Sequence, residues 1–137
     1  MTTLEKKIEA VRVANVIIDQ LKATTDINVL MSWGVRGHGA GYVRGRDGIE
    51  MPCLILDVSG LIHTGRVIVA LNEGDDVYEV ALYDVRGNRV GDWIGDVSCE
   101  MLGSLLDSLI ERPKGMTDDD YKEMSELDSF IKCILDI

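Results

Sequence analysis

The chain has 137 residues, 46% hydrophobic and 28% charged, proportions that fit a globular domain and exclude disorder along its whole length. Its formal net charge of -10 is unevenly placed. Residues 1–72 hold eight Lys/Arg against seven Asp/Glu, and residues 73–137 hold six against seventeen, an acidic half that repels phosphate backbones and argues against general nucleic-acid binding.

Length suits one domain spanning 1–137, able to bury about two thirds of its unfolded surface. Three widely spaced cysteines (Cys53, Cys99, Cys133) form no disulfide framework and point to a reducing compartment. The first ten residues, MTTLEKKIEA, lack the apolar core of a signal peptide. No apolar run approaches membrane-spanning length. A cytoplasmic protein without membrane contact is expected.

In chain order, the spacing predicts a helix from about Thr3 to Ala23, with a stripe of Leu4, Ile8, Val11, Asn15, Ile18 and Leu21 widened by Ala14 and Ile17. Thr2 and Glu5 have capping-box spacing. Ile27 to Trp33 reads as a short strand. Gly34 to Gly48 then reads as a long loop or a distorted hairpin, because six glycines in fifteen residues cannot hold a regular helix. Strands follow at 51–58, 61–71, 76–84 and 89–94, separated by turn chemistry at Ser59-Gly60, Asn72 to Asp75 and Arg86-Gly87-Asn88. Asp96 or Ser98 can cap a helix whose stripe is Val97, Met101, Leu102, Leu105, Leu106 and Leu109, ended by Pro113 and Gly115. Thr117 caps a last helix with the stripe Tyr121, Met124, Leu127, Ile131 and Ile134. The fold class is α+β: an N-terminal helix, a four- to five-stranded antiparallel meander sheet, and two C-terminal helices packed on the sheet.

The glycine stretch, GVRGHGAGYVRGRDG, is the one segment whose composition suggests a binding site. Gly39, Gly41 and Gly45 are reminiscent of dinucleotide-binding turns, but no helix pattern follows, and those turns need one to aim N–H groups at phosphate. A weaker reading keeps the segment as an anion site. Glycine lets backbone amides approach, Arg36, Arg44 and Arg46 clamp the anion with His38 beside them, and Tyr42 stacks on a flat ligand. An ordinary surface connection, its arginines paired with the acidic half or with a partner subunit, explains the same composition.

Elsewhere the chemistry is sparse. Cys53 and His63 are the only Cys–His pair that local structure might assemble, yet they sit out of register about a turn at Ser59-Gly60. No metal-ligand spacing occurs. Asp75-Asp76 and Asp118 to Asp120 are explained by turn preference and helix capping. HExxH, GxSxG and Walker patterns are absent, and no cofactor is expected.

The stretches MSWG (Met31 to Gly34) and DVSGLIHTGRVIVALNEGDDVYEV (Asp57 to Val80) resemble small bacterial proteins of no assigned activity, some of them borne on mobile elements. That resemblance implies a small bacterial cytoplasmic domain and carries no catalytic residue. The leading expectation is a non-enzymatic interaction domain that binds a protein partner or a second copy of itself as a homodimer. The alternatives are a small anionic-ligand domain at residues 34–48 and an acidic nucleic-acid mimic at residues 73–137.

Overall fold

The computed structural model describes residues 2–45 and 47–111. The order is α1 (Thr3–Thr24), α2 (Ile27–Ser32), β1 (Gly37–Arg44), β2 (Glu50–Ser59), β3 (Thr64–Asn72), β4 (Val77–Tyr83), β5 (Arg89–Val97) and α3 (Cys99–Ile110). Every strand pairs antiparallel with its sequence neighbour, giving the sheet order β1-β2-β3-β4-β5. The α+β meander is therefore as the turn chemistry predicts, with α3 packed on the sheet side. Arg46 and the last predicted helix lie outside the described residues.

Two local expectations are corrected. Ile27–Ser32 is a helix, not a strand. Asp26 caps it by accepting from Asn28 N–H at 2.8 Å, and the edge of β2 that a strand there would need is taken by β1. Gly34 to Gly48 is mostly a hairpin arm and not a loop throughout: eight of its residues form β1, in unbroken register with β2 from Gly37↔Asp57 to Arg44↔Glu50. Pairing with a stiff apolar strand outweighs the backbone entropy of the glycines.

The sheet buries apolar residues on both faces. Leu54, Leu56, Val58, Val67, Val69 and Val80 form the main core with Val13, Ala14, Ile17 and Leu21 of α1 and Leu102, Leu106 and Ile110 of α3. The opposite face gathers Met51, Cys53, Ala70, Ala81 and Trp93, where small side chains leave room for the indole. Both tryptophans are buried. Trp33 donates its Nε1–H to Asp107 Oδ1 at 3.0 Å, tying the α2 end to α3.

The turn between β2 and β3 caps α3. Ile62 and His63 N–H groups donate to the Ile110 carbonyl at 2.9 and 3.2 Å, and Leu61 N–H donates to Glu111 Oε2 at 2.7 Å. These bonds satisfy groups at a helix end that has no intrahelical partner for them. His63 thus lies in the turn and not in a strand, buried with Nε2 at 3.2 Å from the Arg66 carbonyl. Cys53 pairs with Ala70 instead, so no Cys–His pair assembles.

The helix α1 departs from its expected stripe. Thr2 caps it as expected, accepting from Glu5 N–H at 3.1 Å. The residues it buries are Ala10, Val13, Ala14, Ile17 and Leu21, whereas Leu4, Ile8 and Val11 stand 67%, 60% and 51% exposed. The helix carries two apolar stripes, and the sheet takes only one.

Candidate functional site

The candidate residues map onto β1, one of the two edges of the sheet. Side chains alternate across a strand, and Ala40 packs against the main core. Hence His38, Ala40, Tyr42 and Arg44 share the helix-side face, while Gly37, Gly39, Gly41 and Val43 share the other. Arg36 precedes the strand, and its N–H donates to the Asp57 carbonyl at 2.8 Å. Arg36, His38 and Arg44 are exposed.

This layout does not converge on a small ligand. Arg44 lies eight positions beyond Arg36, about 27 Å of extended chain, so one small anion cannot touch both. Tyr42 is already engaged. Lys6 Nζ lies 5.4 Å from its ring centroid, a cation–π contact, and the same ammonium pairs with Glu50 Oε1 at 3.0 Å. The Tyr42 hydroxyl is buried, with the Glu9 carboxylate beside it. Loss of solvent, then the negative charge of nearby Glu9, holds its pKa above the usual phenol value. Glu9 also hydrogen-bonds Glu73 and raises its pKa, with burial adding to the shift and Arg12 opposing it.

What β1 does offer is backbone. Gly45 N–H donates to the Ile49 carbonyl at 3.1 Å, one step beyond Arg44↔Glu50 in the same register. Hydrogen-bonded and non-bonded pairs alternate along an antiparallel ladder, so that bond sets the phase. Gly37, Gly39, Gly41 and Val43 turn their N–H and C=O groups toward β2. His38, Ala40, Tyr42 and Arg44 turn theirs outward, where no strand pairs with them among the described residues. The pattern is invisible to composition, because it depends on a register that only the β1–β2 pairing defines.

The other edge is built differently. β5 pairs with β4 through two register irregularities; Gly91 and Asp96 have positive φ, and Arg89 Nε donates to the Gly91 carbonyl at 3.1 Å. Bulges and bends of this kind obstruct pairing with a further strand. β1 has none of them.

One surface cavity, about 610 Å³, opens where α1 meets α2, lined by Lys22, Thr25, Ile27, Leu30, Met31, Gly34 and Val35. It is apolar apart from Lys22 and Thr25, and lacks the convergent polar groups that orient a small ligand. Among the described residues no three His, Cys, Asp or Glu side chains are grouped to hold a metal, and no helix is long and apolar enough to cross a membrane. Compared with family models, curated proteins and solved structures, the chain matches none.

Proposed function

We propose that this protein is a non-enzymatic binding domain that holds an extended segment of a partner protein along β1 by strand addition. The observation that carries the reading is the row of outward N–H and C=O groups at His38, Ala40, Tyr42 and Arg44, on an edge with no bulge and no proline. Main-chain hydrogen bonds supply affinity in such docking, and alternate side chains supply selectivity. Exposed Arg36 and Arg44 give the edge a cationic border on an acidic molecule, so the favoured segment carries Asp or Glu. A second copy is disfavoured here. Antiparallel self-pairing centred on Ala40 sets Arg36 opposite Arg44 of the other chain, and like charges directly opposed are destabilising. The cytoplasm, where Cys53 and Cys99 remain free thiols, is the compartment this reading assigns.

The test is selection from a random peptide library on the full chain, followed by the variant Ala40→Pro. Proline removes an outward donor and leaves the β1–β2 ladder whole. Selected peptides are expected to be acidic and rich in β-formers, to protect the amides of residues 38–44 from hydrogen exchange, and to lose binding to Ala40→Pro. A selection that yields nothing, or peptides that bind the variant equally, overturns the reading.

A further inference from the structure

The N-terminal part of the second stripe of α1 is unused by the fold. The stripe's members are Leu4, Ile8, Val11, Asn15 and Ile18, separated by 4, 3, 4 and 3 residues, which is the a/d spacing of a coiled-coil seam. Written as heptads, Ile8 and Asn15 take a positions and Leu4, Val11 and Ile18 take d positions. Exposure falls along the seam: Leu4 is 67% exposed, Ile8 60% and Val11 51%, and Ile18 is partly buried against the core. The N-terminal half of α1 is therefore the part open to a partner.

We propose that a second copy of the chain occupies this seam, the two α1 helices crossing antiparallel with their centre between Ile8 and Val11. In that register Ile8 packs on Val11 of the other copy, and Leu4 covers the aliphatic part of the other Asn15. The contact spans residues 4–15, about 17 Å of helix, and uses only the exposed half.

Charge selects this orientation. The e positions are Glu5 and Arg12, and the g position beside Ile8 is Lys7. Antiparallel helices bring e beside e, so Glu5 meets Arg12 of the other copy, twice by symmetry. Parallel helices bring g beside e, so Lys7 meets Arg12 and repels it. They would also stack Lys22 on Lys22 and need the partly buried Ile18 at the contact. Such a short seam makes a weak dimer, at the low end of interface size. Because the contact is isologous, it closes at two copies.

Sedimentation equilibrium of the full chain tests this. A concentration-dependent monomer–dimer equilibrium is expected for the wild type. Ile8→Glu should weaken association by at least about tenfold while leaving thermal unfolding unchanged at concentrations too low for the wild type to dimerise, since Ile8 is 60% exposed and belongs to neither core cluster. Arg12→Glu should also weaken the dimer, and the double variant Glu5→Arg/Arg12→Glu should restore it. A wild type that stays monomeric at every concentration, or a dimer indifferent to Ile8→Glu, overturns the proposal. So does a dimer tightened by Arg12→Glu, which would mean a parallel seam with Lys7 paired to the new carboxylate. Peptide capture at β1 is independent of this contact. Ala40→Pro should leave the dimer intact, and Ile8→Glu should leave peptide binding intact.

Discussion

At the scale of single residues, two positions show how packing constrains chemistry. Cys53 is 1% exposed. Burial pushes its thiol up to about 11, against a smaller opposing effect from the Gly41 backbone. A pKa raised on folding means that the folded state favours the neutral thiol. Its stabilising effect is complete below the ordinary value of 9.0 and is lost as pH rises through about 11. Tyr42 and Tyr78, both raised chiefly by burial, act in the same direction at alkaline pH. Denaturant titrations of wild type and Cys53→Ala should therefore show the wild-type advantage shrinking between pH 9 and 11. A constant difference across that range would refute a buried neutral thiol. The second position is Gly60. A Cβ built there would lie 2.2 Å from the Ile110 carbonyl oxygen and 2.5 Å from Ile110 Cγ2, in the turn that caps α3. Gly60→Ala should destabilise the protein by about 1–3 kcal/mol, read as a lowered denaturation midpoint with an unchanged slope.

At the scale of elements, legibility depended on whether the local pattern had one solution. The strands β2, β4 and β5 could be read from alternation and turn residues, and α3 from its apolar stripe, although Met101 of that stripe is 60% exposed, Ser98 at the cap position makes no side-chain cap bond and Asp96 belongs to β5. Ile27–Ser32 could not be read, because a six-residue, mostly apolar segment (INVLMS) is shorter than two helical turns and satisfies either period. Its capping side chain decides the matter: Asp26→Ala should cost about 0.5–2 kcal/mol, with amide exchange quickening across 28–30 before the rest of the chain. The glycine stretch misled for the opposite reason. Intrinsic propensity spoke against a strand, and the partner that overrides it, Met51 to Asp57, lies outside any local window. In α1 the sequence displays two stripes about a third of a turn apart, and nothing local says which one meets the sheet. The candidate residues Arg36, His38, Tyr42 and Arg44 were identifiable as members of one unusual segment. Their distribution along an edge, and the engagement of Tyr42 by Lys6, required the register.

At the scale of the whole molecule, the two ends of the sheet are unlike. Among the described residues no strand pairs with the outer ladder groups of β1, while β5 is kinked by its register irregularities and by the positive φ of Gly91 and Asp96. A molecule with two open edges can pass the pairing on, each added strand exposing a new edge to the next chain, and so grow into a fibre. Here the far end offers no matching template. A partner strand taken up at β1 extends the sheet once, and no second subunit can be threaded on from β5. In the strand addition we propose, the meander is a chain terminator: it would accept a strand without seeding a polymer, which is how a glycine-softened edge that no strand pairs among the described residues can be carried at the concentrations of a cell.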